Sequence, residues 1–225
     1  MNFLNTRFAT HLNSGKRRLS YHLCPPRTQV NNSNNIYLTF DDGPDPHFTP
    51  EIASILQSRG HRATFFFIGR CALAHKGLVS EIKCAGHSVG SHSSKHIRQW
   101  ENSSPAVLAD YRRGHKQVES VLGVETKLFR PPYGHHDLRS SKFCKEIGTN
   151  PILWNCDSLD WQISATADSV LENIEPALKP GAIVLLHDAI YDTPAAKDRS
   201  HTVEAVSRIL DIMETKGLQG SGLEP

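Results

Sequence analysis

Two adjacent carboxylates follow a short apolar run near the start of the chain. Residues 39–44 read Thr-Phe-Asp-Asp-Gly-Pro, so Asp41 and Asp42 stand where a predicted strand gives way to a turn. Neighbouring side chains in an extended backbone point to opposite sides. The two carboxylates are therefore suited to different tasks, with one binding a metal while the other handles protons. A solvated turn is the alternative, because Asp, Gly and Pro favour turns.

Two imidazoles occur four residues apart, at His92 and His96. This spacing brings both rings to one face if the chain turns helical there, and two such histidines suit zinc. A carboxylate from Asp42 would complete a set of three protein ligands and leave a fourth position for water, as in catalytic zinc sites. Since the chain has 13 histidines, a chance pair on the surface is the alternative, and the combination with Asp42 favours the metal.

Three further polar groups stand at or just after predicted strands. Arg130, followed by Pro-Pro-Tyr-Gly, is a fixed cation that could hold a carboxylate through its planar guanidinium. His187 ends an apolar run, and a nearby carboxylate would raise its pKa and make it a general acid. Asp160 stands beside Trp161, a large aromatic wall. Surface or purely structural roles are the alternatives for each residue taken singly.

The elements that would position these groups alternate between strands and helices. Three helical patterns stand out: one capped by Thr49 and ending at Gly60, one capped by Thr166, and one ending near Gly217. Such alternation favours a parallel α/β sheet, and a barrel gathers all strand ends onto one face. No Gly-rich phosphate loop follows any strand. The strand candidates are residues 36–40, 63–68, 88–91, 127–130, 152–155 and 182–186.

Taken in order, these segments resemble the polysaccharide deacetylases with a NodB homology domain, carbohydrate esterase family 4. The five matching motifs are residues 39–44, 92–96, 130–134, 157–161 and 184–188. Residues 36–44 resemble the chitooligosaccharide deacetylase branch in particular. The resemblance implies a distorted (β/α) barrel, a divalent metal, most often zinc with cobalt or manganese as alternatives, and removal of N-acetyl groups from N-acetylglucosamine-containing oligo- or polysaccharides by attack of a metal-bound water.

The resemblance also assigns roles residue by residue. Asp42, His92 and His96 would bind the metal, and Asp41 would be the catalytic base. His187 would protonate the leaving amine.

The remaining roles implied by the resemblance support these. Arg130 would orient Asp41, and Asp160 would tune His187. The backbone N–H of Tyr133 would hold the developing negative charge. Trp161 and Leu186 would wall a pocket for the acetyl methyl group.

Composition limits the classes of function. The 225 residues suit one domain, and a formal charge of +2 with no long basic run argues against nucleic-acid binding. No apolar run predicts a transmembrane segment or a signal peptide, which gives a cytoplasmic location as the expectation. The predicted divisions are an N-terminal arm over 1–35, a deacetylase domain over 36–217 and a tail over 218–225, whose weak ending leaves barrel closure open.

Three other functions compete with N-deacetylation. A glycosidase with paired carboxylates is disfavoured, because adjacent Asp41 and Asp42 could not flank a sugar bond. A non-catalytic carbohydrate-binding protein on the same scaffold would be expected to have lost a ligand, base or acid, and all are present. A carbohydrate O-acetyl esterase stays open.

Overall fold

The fold is built around a parallel sheet of short strands. The computed structural model describes residues 15–31, 33–191 and 198–225. The central strand β1 pairs with β2 on one side and β5 on the other, and the sheet order is β3-β2-β1-β5-β4 with β6 against the start of β1. The strands are β1 (Asn35–Asp41), β2 (Thr64–Phe67), β3 (Ser88–Ser91), β4 (Cys156–Asp157), β5 (Ile183–His187) and β6 (Gln219–Gly220).

Irregular segments extend the sheet beyond the β3 edge, so that it approaches a closed barrel. Phe129 forms a single parallel bridge with Ser91 at the β3 edge, and the Ile152 N–H donates to the Phe129 carbonyl at 2.9 Å. The chain then enters β4, which pairs in parallel with β5. The predicted parallel α/β barrel is confirmed, and it is distorted along this arc.

Two strand predictions are wrong in this arc. Residues 127–130 make one isolated bridge instead of a ladder, and the predicted strand over 152–155 is replaced by β4, which begins directly after it at Cys156. Prolines account for the interruption, since Pro131, Pro132 and Pro151 lack the N–H that a ladder needs. The remaining strand candidates are confirmed to within one residue at each end.

Helices cover the outside of the sheet. Thr166 caps its helix as predicted, with its side chain accepting from the Ser169 N–H. The predicted cap at Thr49 is wrong: the helix begins at Phe48, and the Asp45 carboxylate accepts from its first N–H groups. No helix in the described ranges is long and apolar enough to cross a membrane. The helices are α1 (Gly15–Leu23), α2 (Phe48–Ser58), α3 (Gly69–Ala74), α4 (Lys76–Cys84), α5 (Ser104–Leu122), α6 (Leu138–Glu146), α7 (Ala167–Ile174) and α8 (Ser200–Thr215).

Alternation along the strands separates two apolar cores. In β5, Val184 and Leu186 join the large core between sheet and helices, whereas Ile183 joins a smaller core inside the barrel. Side chains of one strand alternate in this way between its two faces. The helix-facing core therefore fixes which strand residues point inwards, and so which reach the mouth of the barrel.

Both ends of the described chain pack on the barrel. Val30 N–H donates to the Gly181 carbonyl at 2.8 Å, within the segment predicted as an N-terminal arm. At the other end β6 pairs with β1, and Leu223, 1% exposed, lies in the barrel interior. The short C-terminal segment thus adds a strand, although it lacks the apolar pattern of one. The division at residues 35 and 217 stays a prediction.

Candidate active site

Asp41 and Asp42 lie side by side at the end of β1. Asp41 is the last strand residue, and Asp42 adopts a left-handed backbone conformation with φ of 76°. This turn departs from the extended backbone that the alternation argument assumes, and both carboxylates lie within 3.7 Å of His92 Nε2. Both side chains are buried, with exposures of 3% and 6%. The mouth of the barrel therefore contains two adjacent acids that share one neighbour but differ in the other, Arg130 for Asp41 and His96 for Asp42.

His92 and His96 meet through a tight turn. The expectation that a helical turn joins them is wrong, because Ser93 and His96 have φ values of 66° and 51°. Ser93 Oγ accepts from the His96 N–H at 3.0 Å and so closes the turn. The ring centroids of the two histidines lie 5.0 Å apart. A compact loop thus brings the two imidazoles together, as their spacing in the sequence suggested.

Asp42 completes a cluster with these two rings. Its Oδ1 lies 3.6 Å from His92 Nε2 and 3.3 Å from His96 Nε2. Potential ligand atoms of all three residues lie within 4.8 Å of one another, and all three residues are buried. Asp42 Oδ1 accepts no hydrogen bond from the described part of the chain. A buried carboxylate oxygen without a donor, facing two imidazole nitrogens, could bind a metal ion.

The environment of His92 favours the form that binds a metal. Burial, reinforced by the nearby His96 ring, lowers the pKa of His92 to about 3, so the ring is neutral near pH 7. Its Nδ1 hydrogen-bonds the Arg130 carbonyl oxygen at 2.8 Å. A backbone partner at one ring nitrogen sets the tautomer that leaves the other nitrogen for a metal.

Arg130 lies beneath Asp41 inside the barrel. Its guanidinium is fully buried and donates to Asp41 Oδ1 and Thr39 Oγ1, each at 2.8 Å. The Ile152 and Leu153 carbonyls accept two more of its hydrogen bonds. Burial raises the pKa of Asp41, and the Arg130 charge opposes this increase. Arg130 thereby fixes one carboxylate oxygen, while Asp41 Oδ2 lies 3.7 Å from His92 Nε2.

His187 lies beside Asp41 on the neighbouring strand, since the two residues are paired across β1 and β5. Its Nδ1 is 2.7 Å from Asp160 Oδ1, and its backbone N–H donates to Asp160 Oδ2 at 2.8 Å. Burial alone would lower the pKa of His187, but the Asp160 charge and hydrogen bond raise it to about 9. The ring is therefore protonated near neutral pH and can donate a proton.

A group of residues around α8 holds Asp160 in place, and the sequence reasoning missed it. Arg199 is 1% exposed and donates to the Asp160 carbonyl at 2.7 Å, as His201 Nε2 can at 2.9 Å. Thr202 Oγ1 donates to Asp160 Oδ2 at 3.0 Å. Asp160 and α8 are about forty residues apart, so no local pattern could have indicated this contact.

The three residues predicted to bind substrate lie in different environments. Tyr133 lies at the mouth with a left-handed backbone, φ 58°, and its ring centroid is 4.4 Å from that of His96. Trp161 is partly exposed directly after Asp160. Leu186 is fully buried in the helix-facing core, which contradicts a role as pocket wall. Leu185 shares the strand face of His187 and is the residue that alternation should have selected.

Asp188 and Asp157 stand at neighbouring strand ends. Asp188 accepts from the Gly43 N–H at 3.2 Å and from Thr49 Oγ1, tying β5 to the turn after β1. A Cβ on Gly43 would lie 2.2 Å from Asp188 Oδ2, so this turn has no room for a side chain. Asp157 accepts from the Leu159 N–H. Both contacts shape the loops around the site.

Comparisons with known proteins agree with this geometry. Residues 28–152 match the polysaccharide deacetylase family, a span that includes Asp41, Asp42, His92, His96 and Arg130. A peptidoglycan-N-acetylglucosamine deacetylase of Bacillus cereus (strain ATCC 14579) is 35% identical over 83% of this chain and 85% of its own. A chitooligosaccharide deacetylase of Azorhizobium caulinodans is 30% identical over 83% of this chain and 91% of its own.

Comparison of the fold with solved structures identifies the same group of proteins. The crystal structure of the Bc1960 peptidoglycan N-acetylglucosamine deacetylase, in complex with a hydroxamate-type benzamide, superimposes with a TM-score of 0.82. The two share 27% identity, and the match covers 92% of this chain and 95% of that one. The resemblance read from the five motifs is confirmed, and this chain belongs to the polysaccharide deacetylase family.

Proposed function

We propose that this protein is a divalent-metal-dependent hydrolase that removes N-acetyl groups from N-acetylglucosamine-containing oligo- or polysaccharides. The observation that carries the proposal is the buried cluster of Asp42, His92 and His96. The Asp41 carboxylate lies 3.7 Å from His92 in this cluster, and the protonated ring of His187 is on the strand paired with Asp41. Acid, base and metal ligands for amide hydrolysis are then present at one barrel mouth.

The ligand set suits zinc. Two neutral imidazoles and one carboxylate form the set of three protein ligands typical of catalytic zinc, and cobalt or manganese are the alternatives. The unsatisfied Asp42 Oδ1 and the backbone hydrogen bond of His92 Nδ1 fit that use. When bound, the cation supplies Lewis acidity and lowers the pKa of a coordinated water.

Asp41 is suited to take the proton from the attacking water. Arg130 holds Asp41 Oδ1, which leaves Oδ2 directed towards the ligand cluster. Burial raises the pKa of Asp41, and a carboxylate with a raised pKa is the stronger base. Backbone N–H groups stabilise developing oxyanions in hydrolases, and the left-handed turn at Tyr133 is the proposed source of one.

His187 is suited to protonate the departing nitrogen. Breaking the C–N bond of an acetamide yields acetate and an amine, and the amine leaves only when a proton reaches its nitrogen. The Asp160 carboxylate keeps His187 charged for this step. An alcohol leaves an O-acetyl ester more readily, so a ring held protonated at neutral pH favours N-acetyl substrates over O-acetyl ones.

The test is acetate release from chitin oligomers, peptidoglycan, poly-N-acetylglucosamine and O-acetylated carbohydrates. Protein stripped of metal and reloaded with zinc, cobalt or manganese should release acetate only when loaded. Asp41→Asn should keep its metal content but lose acetate release, whereas Asp42→Asn should lose both. A metal-loaded protein that binds these carbohydrates without releasing acetate would support the non-catalytic alternative.

A further inference from the structure

Two exposed aromatic side chains touch each other at the rim of the barrel mouth. Trp100 is 55% exposed and Tyr133 is 38% exposed. Their ring centroids lie 5.0 Å apart with the planes inclined by 60°. Single exposed apolar side chains are common on protein surfaces, but contiguous ones mark binding sites more often.

The aromatic pair continues from the candidate active site. The Tyr133 ring packs on the His96 ring at a centroid distance of 4.4 Å, and the Tyr133 hydroxyl donates to the His96 carbonyl at 3.4 Å. Trp100 therefore contacts Tyr133, and Tyr133 in turn contacts His96 of the metal-binding cluster. A ligand bound at the cluster and extending over Tyr133 would reach the indole next.

The turn that carries Trp100 is held in place. Gln99 is fully buried and its Nε2 donates to the Pro132 carbonyl at 3.1 Å. Arg139 Nη1 donates to the Gln99 carbonyl at 2.8 Å from the start of α6. The indole is thus exposed on a fixed support, which lowers the entropy cost of binding a ligand there.

Polar groups flank the exposed indole. Arg98 and Glu101, two residues before Trp100 and one after it, form an ion pair at 3.3 Å, and each side chain is about half exposed. A sugar ring has an apolar C–H face and a rim of hydroxyl groups. The surface around Trp100 offers an aromatic face to the C–H face of the sugar. Arg98 and Glu101 offer a hydrogen-bond donor and an acceptor to its hydroxyl groups.

We infer that Trp100 and Tyr133 form a stacking site for a sugar unit next to the one that is deacetylated, so that the enzyme favours oligosaccharides over monosaccharides. This inference rests on the proposed function, because the active site supplies the direction of the sugar chain. The aromatic faces are electrically neutral surfaces, and the ion pair beside them is balanced in charge, so an uncharged sugar ring is the matching occupant.

The first test compares chain lengths in the zinc-loaded enzyme. Trp100→Ala should raise KM for the N-acetylglucosamine tetramer by about tenfold, as expected for the loss of a stacked tryptophan. The effect should shrink as the substrate shortens to the monomer, and Trp100→Phe should restore most of the affinity. Val124→Ala is the matched control, since Val124 is 52% exposed and follows the end of α5, before the segment 127–130 whose last residue, Arg130, reaches the site. An equal loss at every length, or none, would overturn the inference.

The second test measures binding without turnover. In an Asp41→Asn background, calorimetry with the tetramer should show about tenfold weaker binding when Trp100 is also changed to alanine. Unchanged affinity would refute the stacking site. If the wild-type protein releases no acetate from any oligomer, the proposed function fails, while this titration still decides whether Trp100 binds sugar.

Discussion

Replacing Asp160 with asparagine should change the pH dependence of the enzyme more than its fold. Asp160 holds His187 Nδ1 at 2.7 Å, and its negative charge is what raises the pKa of His187 to about 9. Asparagine keeps the shape and an acceptor oxygen but loses the charge. Burial, which lowers the pKa of His187, is then opposed only by the charges of Asp42 and Asp41, and we expect the pKa to fall towards the ordinary value of 6.5.

The size of the effect follows from the two pKa values. At pH 8 a group with a pKa of about 9 is roughly nine-tenths protonated, whereas one at 6.5 is protonated in about one molecule in thirty. If protonated His187 is the acid, kcat/KM of Asp160→Asn at pH 8 should fall by about 30-fold when the pKa reaches 6.5. At pH 5.5 the ratio of variant to wild type should recover to within about twofold.

Acetate release between pH 5.5 and 9.5 measures this shift, with Asp157→Asn as the matched control. Asp157 ends the neighbouring strand β4 but makes no hydrogen bond to His187 among the described contacts. The basic limb of the profile should move far less in Asp157→Asn than in Asp160→Asn. A constant ratio of variant to wild type across the whole range would refute His187 as the acid tuned by Asp160.

The same raised pKa predicts a change in stability. Because the pKa of folded His187 lies above its unfolded value, the stabilisation is complete below pH 6.5 and is lost as the pH rises through 9. The difference corresponds to about 3 kcal/mol. Urea denaturation at pH 6.5 and 9.5 should show this loss in the wild type and a smaller one in Asp160→Asn. Equal losses would contradict the pairing.

Two substitutions and one deletion separate packing from chemistry. Arg130→Met leaves the buried Asp41 carboxylate without its cation and should lower the free energy of unfolding by about 3–5 kcal/mol in urea denaturation, with Asp41→Asn restoring part of it. Leu186→Ala should lower it by about 2–5 kcal/mol with KM unchanged, since Leu186 lies in the helix-facing core, and a raised KM would contradict that position. Removing residues 219–225 deletes β6 and the buried Leu223, so the melting temperature should fall while zinc still binds, and an unchanged melting temperature would show that the segment does not stabilise the barrel.

Local patterns along the chain predict the fold class and the chemical groups of the site. Apolar runs that end in Asp41 and His187 predict strands, because the pattern of apolar residues that marks a buried strand is visible within a short stretch of sequence. Residue types with particular chemistry at those ends, together with His92 and His96, predict a metal-assisted hydrolase. The resemblance to polysaccharide deacetylases rests on the same short motifs, which depend on local order alone.

Contacts between distant segments could not be predicted from such local patterns. The left-handed turn that joins His92 to His96 replaced the expected helical one, and Arg199, which directly precedes α8, contacts Asp160 from about forty residues away in the chain. Periodicity shows that Leu185 and Leu186 face opposite sides of β5, but it does not say which side is the barrel interior. That choice depends on how strands pair and on what the helices cover, because burial energy is set by the assembled surface and not by the chain alone.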